Sequence, residues 1–127
     1  MNKLLMLGIV AFLSLQSCYY DNEEELYPQA GNCDTTSVTY SGTVSKILNQ
    51  RCALSGCHLG ASGQAIGIFD THANIKTYLD AGNTVRLLDA INHRNGRSPM
   101  PKGSATKLDA CDLLKIEAWI KSGYPNN

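Results

Sequence analysis

The sequence predicts a small all-α domain. Two observations carry this: apolar residues recur at helical spacing in four separate stretches, and strand-like alternation of useful length is lacking. Helix-capping residues and Gly/Pro-rich breaks fall between those stretches, as separate helices require. At 127 residues the chain has length for one domain and no more.

In chain order, Thr43 is placed to cap a first helix that carries Val44, Ile47 and Leu48 toward Cys52. Residues 59–70 are Gly-rich and read as mostly irregular, with an apolar cluster at Ile66, Ile68 and Phe69. Residues 71–79 form a short helix with Ile75 and Leu79 four apart, and residues 84–93 another with Val85, Leu88 and Ile91 on one face. Gly96, Pro99, Pro101 and Gly103 make residues 94–107 a loop. The last helix has Asp109 as N-cap and Asp112 in its first turn. Leu108, Cys111, Leu114, Ile116, Trp119 and Ile120 supply its apolar surface, and Gly123 with Pro125 end it. Trp119 and Ile120 read equally as ordinary core or as packing for a bound group.

The first 32 residues have a different character. Lys3 precedes an apolar run from Leu4 to Leu15 that is too short to span a bilayer, for which roughly 20 residues are needed. A short apolar run behind one cation reads as an export signal over residues 1–17. It ends in Leu15-Gln16-Ser17-Cys18, which resembles the lipobox of bacterial lipoproteins, in which the Cys is lipidated and becomes the first mature residue. Residues 18–32, with Asp21, Glu23, Glu24 and Glu25, read as an acidic, solvated tether between a lipid anchor at Cys18 and a domain over residues 33–127. The stretch also resembles surface-export signals of Bacteroidota lipoproteins; a plain linker accounts for it equally well. The expected location is therefore exported and lipid-anchored, on the outer membrane, facing periplasm or surface. The charges balance, with 11 basic and 11 acidic side chains, so no nucleic-acid partner is expected.

Export makes free thiols unlikely to persist, yet Cys33, Cys52, Cys57 and Cys111 remain in the folded part. The informative string is Cys52-Ala53-Leu54-Ser55-Gly56-Cys57-His58. Two thiols near in sequence add to the two vinyl groups on one side of a haem, and a His directly after the second turns under the iron. The usual spacing is C-x2-C-H; here four residues separate the thiols, with Ser55 and Gly56 supplying the extra bend. Three other readings stand beside haem: a Cys52–Cys57 disulfide, part of a zinc site, and a Cys52–Cys111 crosslink. The zinc reading lacks a second Cys or His pair to complete a tetrahedron.

A haem iron held by His58 takes a sixth ligand or keeps an open face. Met100 lies on the loop in Ser98-Pro99-Met100-Pro101-Lys102. The flanking prolines stiffen the segment and favour extended geometry before each ring, which suits a thioether presented to iron. His72 and His93 are the rival sixth ligands, each more simply read as a surface or capping His. Arg94, Arg97 and Lys102 flank the Met loop; a solvated loop is the favoured reading, haem propionates or a partner the other.

Residues 38–125 as a whole resemble the small haem c domains of Bacteroidota lipoproteins, distant relatives of cytochrome c. The elements that carry the resemblance are C-x4-C-H, the "THANIKTYL" helix, the "SPMPKG" loop and the "CDLLKIEAWIKSGYPNN" ending. It implies a cytochrome c-like helical domain around one covalent haem c, with the first and last helices crossing near each other. Cys52 and Cys57 would carry the thioethers, His58 the proximal ligation and Met100 the distal. It further implies a disulfide between Cys33 and Cys111, because an early "CDT" Cys and one opening the last helix occur together in that pattern. The implied function is electron transfer with an unidentified redox protein, without enzymatic activity. The alternatives are small-molecule binding or peroxidase-like activity at an open sixth site, and a haem-free, disulfide-stabilised interaction lipoprotein.

Overall fold

The computed structural model describes residues 33–60 and 66–127. The export signal, Cys18 and the acidic tether expected over residues 1–32 lie outside the described residues, as do residues 61–65. Among the described residues the architecture is all-α: α1 (Ser45–Arg51), α2 (His72–Tyr78), α3 (Thr84–Ile91) and α4 (Ala110–Lys121). Two π-helical turns extend this set, Tyr40–Val44 leading into α1 and Leu79–Asn83 joining α2 to α3. None of the described helices is long and apolar enough to cross a membrane.

The first helical segment starts earlier than the sequence predicts. Thr39, not Thr43, is the N-cap: its backbone is extended and its hydroxyl oxygen accepts the N–H of Gly42 at 3.1 Å. Tyr40 supplies the reason, since it lies one turn before Val44 and both are buried, so the apolar stripe runs further upstream. The remaining donors of this end are met from far along the chain. The Tyr40 N–H donates to Asn127 Oδ1 and the Ser41 N–H to the Asn127 carbonyl, each at 2.9 Å.

Helix α2 begins where expected, with Thr71 capping the Asn74 N–H, and both Ile75 and Leu79 are buried. The chain bends at Gly82, whose φ of +83° few other residues adopt, and re-enters the helical region as α3. The buried face of α3 is Leu87 and Ile91, while Val85 is 65% exposed and Leu88 half-buried. The expected stripe of Val85, Leu88 and Ile91 is therefore rotated by part of a turn. In α4 the Asp109 carboxylate caps the Cys111 N–H, as expected, and Gly123 ends the helix in the left-handed region. Leu113, Ile116, Trp119 and Ile120 face inward, whereas Leu114 is exposed.

The core closes on Trp119, which is fully buried. Tyr40, His72 and Tyr124 surround its ring at centroid distances of 5.7, 6.1 and 6.1 Å, and its indole N–H donates to the Pro125 carbonyl. His72 and Tyr124 meet it edge-on, as opposite partial charge on edge and face favours, and Tyr40 is tilted at 37°. Trp119 thus belongs to the core. The Tyr40–Val44 turn packs on α4, and α3 packs on α4, so the start and end of the domain meet. A disulfide between Cys33 and Cys111 ties the segment before Thr39 to the first turn of α4, across 78 residues of chain.

Candidate haem-attachment site

With Cys33 and Cys111 bonded to each other, Cys52 and Cys57 remain as free thiols, the first half-buried and the second exposed. The Cys52–Cys111 crosslink considered from sequence is thereby replaced by Cys33–Cys111, and the local Cys52–Cys57 disulfide is not formed. Helix α1 ends at Arg51, so Cys52 lies immediately after its last turn, its N–H still donating to the Leu48 carbonyl. The chain then folds tightly back. The Cys57 N–H donates to the Leu54 carbonyl at 2.9 Å and the His58 N–H to the Cys52 carbonyl at 3.1 Å. Gly56, at φ +77°, supplies the bend that the four-residue spacing demands.

Burial pushes the Cys52 thiol up to about 11, with a smaller contribution from the negative charge available at Cys57. A thiol so held stays protonated at neutral pH, which suits neither a thiolate ligand nor a redox nucleophile. It does suit an uncharged thioether, which the same apolar surroundings accept without cost.

His58 is held from two sides. Its ring stacks on Phe69 at 4.2 Å between centroids and 8° between planes, and its Nδ1 lies 2.8 Å from the Gly67 carbonyl oxygen. A carbonyl only accepts, so Nδ1 carries the hydrogen, which leaves Nε2 as the ring nitrogen that could bind a metal. Phe69 is in turn buried, edge-on to Tyr78 at 5.2 Å, and its N–H donates to the His58 carbonyl. The His58 imidazole therefore has a defined tautomer and a defined plane before any ligand binds. That is the arrangement by which proteins orient a metal-ligating His. Sequence reasoning found the His but not Gly67 or Phe69, which hold it; the available signal was a Gly two residues before an aromatic in the segment after the motif.

Met100 lies on a different element, half-buried and packed against the core. Its N–H donates to the Ala90 carbonyl at 3.0 Å, near the end of α3, and its own carbonyl accepts from His93 Nε2 at 3.0 Å. His72 uses Nε2 in the same way, on the Tyr124 carbonyl at 3.0 Å. Arg94 pairs with the buried Asp89 carboxylate at 3.7 Å and its N–H donates to the Asp89 carbonyl, while Arg97 and Lys102 are exposed.

Among the described residues no three His, Cys, Asp or Glu side chains form a group of the kind that holds a metal ion. Haem makes a different demand: one basic nitrogen for the iron and two thiols for the ring edge. The residues present fit that demand in donor type and in their order along the chain, with both thiols free of a disulfide. Leu54 and Ile66, 45% and 63% exposed, lie on the same stretch of chain and add apolar surface.

No family model matches the chain, and no curated protein and no solved structure matches it either.

Proposed function

We propose that this chain is an exported, lipid-anchored, c-type cytochrome-like domain that carries electrons on a single covalent haem and is not an enzyme. One observation carries the reading. In C-x4-C-H, two thiols stay free of any disulfide while the adjacent His58 is stacked on Phe69 and hydrogen-bonded to Gly67, which leaves Nε2 as the ring nitrogen that could bind a metal.

In this reading Cys52 and Cys57 would hold the macrocycle as thioethers, each S–H adding across one vinyl group. His58 Nε2 and Met100 Sδ would hold the iron. When bound, the haem supplies a reversible one-electron Fe(III)/Fe(II) change, and His/Met ligation raises its potential relative to two His ligands. The protein's own part is positional. Gly67 and Phe69 keep the imidazole oriented, so that little rearrangement accompanies the change in iron charge. Cys18 supplies the lipid anchor and residues 18–32 the tether, and the partner is another redox protein.

The test is a denatured pyridine–haem spectrum of the full chain, exported in a host with cytochrome c maturation machinery. Absorption that survives acid–acetone extraction, and is lost in Cys57→Ala, is the expected result. A colourless, properly exported protein with Cys52 bonded to Cys57 would overturn the proposal.

A further inference from the structure

Both polar groups of the Met100 main chain are tied to the end of α3. The N–H donates to Ala90, and the carbonyl accepts from the ring of His93. Proline on either side makes the Met100 N–H the one backbone donor between Ser98 and Lys102. The loop therefore has a single main-chain donor with which to fasten Met100, and that donor is engaged. His93 supplies the second attachment from outside the loop. Its φ is +53°, in the left-handed region, which residues other than glycine adopt uncommonly and His more readily than most. Asn95 and Gly96, at φ +53° and +66°, continue the reversal. The Arg94 N–H, donating to the Asp89 carbonyl at 2.8 Å, anchors it to α3. From this conformation the ring is turned back onto the Met100 carbonyl.

We propose that His93 is a positioning residue for Met100: its ring N–H pins the Met100 peptide and so limits how readily the thioether leaves the iron. The proposal rests on the haem reading above, in which Met100 is the distal ligand. It assigns His93 no contact with iron. With the main chain of Met100 held at two points, the sulfur would leave only by rotation of its own side chain and not by withdrawal of the loop. Losing one of the two points lets the loop recoil, which favours the displaced state.

The test compares the haem-loaded full chain with three variants. His93→Gly removes the ring and accommodates the positive φ, so it separates the hydrogen bond from the backbone conformation. His93→Gln places an amide donor near the position of Nε2 and is the conservative rescue. His93→Asn tolerates the same φ with a donor that is shorter in reach, and stands in should the Gly variant fail to fold. Two readouts are taken: the near-infrared charge-transfer band of a sulfur-bound ferric haem, and the affinity of added imidazole, which competes with the sulfur. The loss of one neutral hydrogen bond predicts imidazole binding about five- to tenfold tighter in His93→Gly and His93→Asn, and within about twofold of the parent in His93→Gln. An unchanged imidazole affinity in both loss variants, with the sulfur band intact, overturns the role of His93 and leaves the haem reading standing. A parent that holds haem without a sulfur band overturns Met100 as ligand, and the role of His93 with it. A parent without covalent haem overturns both.

Discussion

Gly67 lies against the ring of Tyr78 with no room for a side chain: a Cβ built on it would sit 2.8 Å from Tyr78 Cδ2 and 2.9 Å from Phe69 Cε1. Its φ of +103° is also closed to other residues without strain. The same residue supplies the carbonyl that holds His58 Nδ1. Gly67→Ala therefore disturbs packing, backbone and imidazole together. It should lower the unfolding free energy by roughly 2–4 kcal/mol, combining left-handed strain with overpacking. Gly96→Ala is the control, because its φ is +66° but nothing lies within 4 Å of the added carbon. That variant should cost only about 1–2 kcal/mol. Urea unfolding of both variants measures the difference, and equal losses would remove the close approach at Gly67 as a cause.

The half-buried Cys52 thiol makes a pH prediction whose sign is fixed. Its proton is held more tightly in the fold, up to about 11 against an ordinary 9.0, by burial first and by Cys57 second. The stabilisation from this group is complete below the ordinary thiol value and fades as pH rises from about 9 to about 11. Protein prepared without haem should lose on the order of 2 kcal/mol more over that window than its Cys52→Ala variant. Burial also raises Tyr40 and Tyr78, but those groups titrate in both proteins and cancel in the comparison. Haem-loaded protein should show no such difference, since a thioether has no proton to lose. Denaturant midpoints at stepped pH values check it.

These sites also mark what the sequence makes legible. Local signals read correctly: Asp109 caps its helix and Gly123 stops α4, because each acts on residues within one turn of itself. The α1 start was misplaced because Tyr40 belongs to the apolar stripe and the turn that carries it is π-helical, with no period in the sequence to announce it. Periodicity located α3 and α4 but misassigned one position in each, Val85 for Leu87 and Leu114 for Leu113. Spacing specifies a stripe, whereas the partner elements decide how far the helix is rotated about its axis. The candidate site divides in the same way. Cys52, Cys57 and His58 are adjacent in sequence and visible as a string. The restraint from Gly67 and the hold of His93 on Met100 depend on tertiary contacts that the string does not encode.

His72 offers a test of a rival ligand. Its Nε2–H donates to the Tyr124 carbonyl, and its ring stands edge-on to Tyr40 at 4.8 Å. Those contacts tie α2 to the segment after α4 and account for the residue without any metal. His72→Ala should cost about 2 kcal/mol, from one hydrogen bond and one aromatic pair, and leave the visible spectrum of the haem-loaded protein unchanged. A shift in the low-spin bands would instead make His72 an axial ligand and displace Met100 from that role.

The two cysteine pairs should separate cleanly in their consequences. Cys33–Cys111 closes a span of 78 residues and joins the segment ahead of Thr39 to α4, whose first turn keeps its own cap at Asp109. The chain-entropy account, which calorimetric work disputes, attributes about 4 kcal/mol to a crosslink of that length. A Cys33→Ser/Cys111→Ser protein should thus melt at markedly lower temperature and still carry covalent haem, because neither thiol belongs to the attachment string. Cys57→Ala should do the reverse, losing the covalent stain while its disulfide and helical circular dichroism persist. Melting curves and haem staining, taken together on the same samples, decide it. Haem loss in the first variant, with the helical signal intact, would mean that the attachment string does not hold the cofactor unaided by the crosslink.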